Sequence, residues 1–114
     1  MSRKPRVLSP PAAAILQRFM RAPADELYGF EIIRETGIAS STLYPALRVL
    51  AEERGFLSSR WEAIDPAKEG RPPRRMYRLN GHARQAANEA LREHAEHHKR
   101  RLKPVPLRPR HAER

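Results

Sequence analysis

The chain has 114 residues, enough for one domain with a modest core, and its net charge of +10 points to a polyanionic partner, nucleic acid before an anionic membrane surface. It contains no cysteine, which excludes a disulfide framework, a thiolate nucleophile and cysteine-type zinc sites, and no apolar run approaches the length of a membrane span. Hydrophobic residues make up 39%, below the usual ~45–50%, and the eleven prolines sit mostly towards the ends, so a compact middle with loosely ordered ends is expected.

Residues 1–8 read as a basic tail, carrying Arg3, Lys4 and Arg6 with no apolar leader segment behind them, which suggests a cytoplasmic, nucleoid-associated protein with no membrane partner. Ser9-Pro10-Pro11 then opens a first helix, with serine as the cap and proline in the first turn, where N–H groups have no intrahelical acceptor. Ile15, Leu16, Phe19 and Met20 share one face of it, and Ala22-Pro23 ends it. Asp25 is a candidate cap for a second helix in which Leu27, Phe30 and Ile33 share a face, and Gly37 is placed to end that helix. The tight connection Gly37-Ile38-Ala39 leads to a third helix starting at Ser41 or Thr42. With Ser41 as the cap, Pro45 is the fourth helical residue and forfeits no hydrogen bond. Leu43, Ala46, Leu47 and Leu50 form its buried stripe, and Gly55 ends it.

Leu57 to Ile64 alternates, with Leu57, Ser59, Trp61 and Ala63 on one face, and Arg75 to Leu79 alternates again. The stretch between, Asp65 to Arg74, is too long and polar for a tight turn, so the pattern predicts a two-stranded hairpin with an extended tip. Such a hairpin is marginal alone in water, so Trp61 and Tyr77 are expected to pack on the helices. Asn80 is read as the cap of a long last helix, whose least polar face carries Ala83, Ala87, Ala90, Leu91, His94, Ala95, His98 and Leu102, before Pro104 and Pro106 stop it. Residues 103–114 form a second basic, proline-rich tail. The expected fold is therefore mainly α with a two-stranded β-hairpin: a winged helix-turn-helix over residues 9–102, followed within that range by a C-terminal helix over 81–102.

A recognition helix enters the major groove with its N-terminal residues against base edges. Ser40, Ser41 and Thr42 can donate to phosphates or bases there, Tyr44 offers a long, stiff phenol, and Arg48 lies one turn further on. One of the hydroxyls is equally explained as a helix cap. Lys68, Arg71, Arg74 and Arg75 sit on or beside the hairpin tip, where arginine suits a narrow minor groove, or else stays solvated. Tyr28, at the start of the second helix, is a further candidate for a phosphate contact. His94 and His98 have a chelating i, i+4 spacing with His97 adjacent, but no zincin motif, and an incidental role explains them better. No metal, no cofactor and no catalytic set is expected, since no glycine-rich phosphate loop or Ser/His/Asp motif occurs.

The residues also resemble the PadR-type transcriptional regulators. Leu27-Tyr28-Gly29-Phe30-Glu31-Ile32-Ile33 resembles that family's second helix, and Ser41-Thr42-Leu43-Tyr44-Pro45-Ala46-Leu47 its recognition helix. Trp61-Glu62, Gly70-Arg71-Pro72 and Arg75-Met76-Tyr77-Arg78-Leu79 resemble its wing, and the likeness runs over about residues 9 to 95. The resemblance implies a homodimer formed by the last helix against the partner's N-terminal helix, and repression at a palindromic operator, often relieved by a small-molecule effector. The chain departs from the pattern at Pro72-Pro73, where a single proline is commoner. Its last helix is short and alanine-rich without an aromatic residue, which argues against a flat aromatic effector cavity. Ile15, Leu16, Phe19, Leu91 and Leu102 are the candidate dimer seam.

The sequence thus reads as a dimeric, sequence-specific double-stranded DNA-binding repressor. A winged helix that binds DNA with little specificity, in an architectural or phage accessory role, and a protein–protein adaptor of another regulator are the alternatives.

Overall fold

The structure, a computed structural model, describes residues 7–101; the tail residues Arg3, Lys4 and Arg6, the seam candidate Leu102 and the segment 103–114 lie outside the described residues. The first helix, α1 (Pro10–Arg21), starts as its sequence dictates: the Ser9 hydroxyl accepts from the Ala12 amide at 3.3 Å, and the prolines occupy the first turn. Leu8, assigned to the tail from the sequence, is only 3% exposed and already belongs to the core. Its carbonyl lies 2.7 Å from Nδ1 of His94, which anchors the chain before α1 to the last helix.

After α1 the chain departs from the expected order. Asp25 does not cap a helix; its carboxylate takes the Arg18 guanidinium at 2.7 Å, and Arg18 also pairs with Glu35, tying α1 to the elements that follow. Residues Glu26–Tyr28 form a short strand, β1, so the sheet has three strands rather than the two of a simple hairpin. Three residues with only Leu27 buried are too few to show an alternation, and the strand is recognisable only from its partner. The second helix, α2 (Gly29–Thr36), consequently begins later than the sequence suggests, with the Tyr28 amide donating to the Glu31 carboxylate at 3.1 Å. That shift turns Ile32 fully inward and leaves Phe30 55% exposed instead of buried.

Gly37 ends α2 in the left-handed region at φ 74°, with its amide donating to the Ile33 carbonyl at 2.8 Å. The next helix, α3 (Ser40–Arg48), starts two residues earlier than a Ser41 cap implies, because the backbone of Ala39 rather than a Ser41 side chain opens it. The Ala39 carbonyl accepts from both Thr42 and Leu43, at 2.9 and 2.8 Å. Pro45 therefore lies deeper in the helix, and the Ser41 carbonyl forgoes its i+4 donor on an exposed face, where water can replace it. A wider π-helical turn, Val49–Glu53, prolongs α3.

Strand β2 (Leu57–Trp61) pairs antiparallel with β3 (Arg75–Leu79), and β1 pairs with the other edge of β3, giving the order β1-β3-β2. The tip between β2 and β3 is not simply extended: Asp65 caps one helical turn, α4 (Pro66–Glu69), closed by Gly70. Asn80 does not cap the last helix with its side chain. Its Nδ2 donates to the Gly55 carbonyl at 2.8 Å and its amide to that of Phe56 at 2.9 Å, pinning the end of the sheet to the end of α3. A 3₁₀ turn, Gly81–Ala83, leads into α5 (Arg84–Arg101).

One apolar cluster holds these elements together. Ile15, Leu16 and Phe19 of α1 meet Ile32, Leu43, Leu47, Leu50, Leu57 and Leu79, while Ala83, Ala87 and Ala90 seat α5 on the same core. Ala95, assigned to that inner face from the sequence, points outward. The burial also corrects the proposed dimer seam: Ile15, Leu16 and Phe19 are fully enclosed within the protomer and offer no surface to a second copy, whereas Leu91 is half-buried at the core's edge. Their 3.6-residue spacing marks an apolar face but does not say which element covers it. Because Leu47 is fully buried beneath α3, Leu47→Ala should lower the unfolding free energy by about 2–5 kcal/mol, read as a lower midpoint in urea denaturation.

Candidate nucleic-acid interface

The outer face of α3 carries Ser40, Ser41, Thr42, Tyr44 and Arg48, all exposed, while Leu43, Ala46 and Leu47 face the core. No side chain caps this helix; the Thr42 amide turns back to the Ala39 carbonyl, while the hydroxyls of Ser40, Ser41 and Thr42 make the exposed start of α3 rich in donors suited to phosphate oxygens. Tyr44, 51% exposed, leans against the start of α2: a Cβ built on Gly29 would stand 2.3 Å from its hydroxyl and 2.9 Å from the ring carbon that bears it. Glycine at position 29 therefore makes room for the phenol and sets where it stands. Nothing in the sequence pattern marks that role, since Tyr28-Gly29-Phe30 reads equally as a helix start.

The wing is closed by Glu62. Its amide donates to the Arg74 carbonyl at 2.9 Å, and its carboxylate accepts from the Arg74 amide at 2.9 Å and from the Arg71 guanidinium at 2.7 Å. The Arg71 hydrogen bond, partly opposed by burial and reinforced by the Arg74 amide, holds the Glu62 carboxyl below the usual glutamate range. Arg71, read from the sequence as a DNA contact, thus spends part of its charge inside the wing. Glu62 enters the sequence analysis only within the wing motif and without a role, because its partners lie nine and twelve residues away across the tip.

The other candidates fall into two groups. The Arg74 guanidinium stacks over the Tyr28 ring at 4.2 Å from its centroid, and Tyr28 in turn neighbours Phe30 with ring centroids 6.5 Å apart. This joins the wing to the start of α2, a contact in which Arg74 keeps its charge. Lys68 is exposed on α4. Arg75 lies on β3, opposite Trp61 in the register, with Nε donating to the Ser59 hydroxyl at 3.0 Å and the guanidinium 5.2 Å from the Trp61 ring. Trp61, expected to pack on the helices, is 61% exposed; its place at the far end of β2 carries it beyond the core that Leu57 reaches. Tyr77 is half-buried as expected. Burial raises its pKa above the ordinary phenol value, Arg75 opposes the shift, and Tyr44 and Glu52 add to it. Among the described residues, no helix is long and apolar enough to cross a membrane, and no group of three or more His, Asp or Glu residues is placed to hold a metal ion.

No protein-family model matches the chain, and a search of curated proteins finds no match. Solved structures do resemble it. The circadian clock associated protein Pex from Anabaena superposes with a TM-score of 0.53 at 24% identity, over 82% of this chain and 84% of that one. A PadR-like transcription factor from Bacteroides fragilis gives 0.56 at 21% identity, over 78% and 86% of the two chains. A Methanosarcina mazei Go1 protein described as a possible transcriptional regulator gives 0.59 at 15% identity, over 88% and 81%. The chain therefore has a PadR-like winged-helix fold, mainly helical with a small antiparallel sheet and a C-terminal helix.

The Glu62 clamp makes the wing sensitive to acid. A carboxylate whose folded-state pKa is depressed contributes its full stabilisation above the unfolded value and loses it as the pH falls through the folded one. On lowering the pH below the ordinary glutamate range, the amide-exchange protection factors at Glu62 and Arg74 should fall before those of the core residues Leu47 and Leu79. Glu62→Ala should produce the same pattern at neutral pH.

Proposed function

We propose that this protein is a transcriptional regulator that binds double-stranded DNA, with α3 in the major groove and the wing along the adjacent backbone, and that it acts as a homodimeric repressor at a palindromic operator. The observation that carries the reading is the exposed, uncapped first turn of α3, with Ser40, Ser41 and Thr42, set beside Tyr44 and Arg48 and flanked by a basic wing. The net charge of +10 supplies the long-range attraction to a polyanion. The fold it shares with the PadR-like factor and the Methanosarcina regulator supports the same conclusion. In a dimer, two recognition helices would meet half-sites about one helical turn apart, roughly 10 bp or a multiple of it.

A less specific mode, in which the protein coats DNA without reading it, draws support from the spread of charge: about +3 over residues 57–80 and about +5 over 81–114, rather than one basic stripe. Selection from a random duplex pool separates the two. A repressor should enrich an inverted repeat and prefer it over bulk DNA by at least about 10³ at physiological salt, while a coating protein enriches nothing.

With the selected site in hand, Tyr44→Phe and Arg48→Ala should each weaken specific binding by about 1–3 kcal/mol, measured by fluorescence anisotropy, with little change in the urea midpoint because the first keeps the ring that packs against α2 and the second changes an exposed side chain. A folded double variant that binds the site as tightly as the parent protein would remove α3 from the interface.

A further inference from the structure

Trp61 is the single tryptophan of the chain and, at 61%, the most exposed of the large hydrophobic side chains among the described residues. An indole left in water forfeits the burial that usually justifies so large an apolar group, so its position on the wing needs a reason. The register supplies the setting. Leu57 pairs with Leu79, Ser59 with Tyr77 and Trp61 with Arg75, and alternation puts all six on one face of the sheet. The first pair is buried and Tyr77 half-buried, while Trp61 and Arg75 are exposed. Four residues of strand carry this face about 13 Å from the core-anchored pair to the Trp61 end, comparable with the ~12 Å width of a major groove. The buried pair at one end of this face lies in the same core cluster as Leu43 and Leu47 of α3, with Tyr77 packed against that cluster. The face thus runs from the core beneath α3 through Tyr77 to Arg75 and Trp61.

This face also differs from the opposite one in how its charge is used. There, Arg60 is held by both carboxylate oxygens of Glu26 at 2.7 Å, with the exposed Arg78 opposite Glu26 in the register, and in the tip Arg71 is held by Glu62. No carboxylate among the described residues pairs with Arg75. Its Nε bonds the Ser59 hydroxyl and its guanidinium lies over the indole, so the group is oriented while its charge remains available.

We propose that Trp61 and Arg75 form a sugar–phosphate clamp for duplex DNA beside the α3 contact, Arg75 pairing with a phosphate while the indole packs on the neighbouring deoxyribose. This rests on the DNA-binding reading above and adds to it a contact that α3 and the wing tip do not supply. Charge favours this occupant over a second copy of the chain, which would bring Arg75 against a protein of like net charge.

The test uses the full chain and a labelled duplex, following anisotropy and Trp61 emission together, with excitation chosen to spare the tyrosines. Emission should shift to the blue or quench, and saturate with the anisotropy. Trp61→Ala should weaken duplex binding about tenfold and leave the log–log salt slope unchanged. Trp61→Phe should recover most of the loss, and Arg75→Ala should reduce the slope by about 0.9. Duplex binding without a change in emission, or at parental strength in Trp61→Ala, would overturn the clamp and leave the DNA-binding reading standing. A single strand that moves the emission as strongly as the duplex would replace sugar packing with base stacking and overturn the clamp as stated. Emission that changes on dilution of the free protein would assign Trp61 to a contact between copies. No binding to any duplex would remove both proposals.

Discussion

The arrangement of the whole interface depends on the pairing of three residues, Glu26–Tyr28, with the edge of β3. This strand uses the stretch that would otherwise begin α2, so the helix starts at Gly29. The start of α2 then lies at fixed distance from the wing. Tyr28 stands beneath Arg74, Gly29 makes room for the Tyr44 phenol, and Ile32 turns into the core while Phe30 turns out. A wing joined to the helices only through β2 would be free to swing about Gly55, which adopts φ 68°. With β1 on the far edge of β3, the wing is tied to the helix-turn-helix from both sides, and a surface formed by α3 and the wing together keeps its shape before any ligand arrives.

The acidic residues refine this surface by choosing which cations remain available. Glu26 holds Arg60, Glu62 holds Arg71, and Asp25 with Glu35 holds Arg18 at the back of the helices. Arg18 and Glu62 are partly buried in these pairs, which therefore tie elements together as well as reducing the field the cations project. Arg48 on α3, Lys68 on the tip, Arg74 over Tyr28 and Arg75 beside Trp61 enter none of these pairs. A net count of basic residues in the wing, which treats Arg71 and Arg75 alike, misses that difference.

Much of the fold was legible because its signals are local. The Ser9 cap with Pro10 and Pro11, the Gly37 stop, the buried stripe Leu43–Leu47–Leu50 and the alternation of β3 each need only neighbouring residues, and each is found where the sequence placed it, while β2 begins at Leu57 as expected but stops at Trp61, short of Ile64. The parts that were not legible depend on partners distant in the chain. β1 exists because β3 offers an edge some fifty residues later, Asp25 is drawn to Arg18, and Asn80 to the Gly55 carbonyl. Pro45 suggested a later start for α3 on the premise that a helix avoids losing a hydrogen bond; an exposed carbonyl makes that loss tolerable. Trp61 was expected on the helices because a lone hairpin is marginal in water, a need that Leu57, Leu79 and the third strand meet without it. At the candidate site, the α3 residues are exposed together as their spacing implied, whereas Gly29 and Glu62, which shape the site without needing to touch a ligand, carry no local signature.

The enclosure of Ile15, Leu16 and Phe19 also constrains any dimer. Alanines at 83, 87 and 90 let α5 approach α1 closely, and that close approach consumes the large apolar side chains within one protomer. Among the described residues, α5 then turns mostly charged and polar side chains outward, with Ala86 and Ala95 the small exceptions and Leu91 half-covered. Such a face contains little of the apolar area on which obligate dimers rely. In the dimeric reading, the free protein would therefore associate weakly through this surface, and a palindromic duplex would supply the missing stability by holding two copies at high effective concentration. Cooperativity would then reside in the spacing of the half-sites as much as in the protein, so inserting base pairs between them should weaken binding far more than the loss of any one contact on α5.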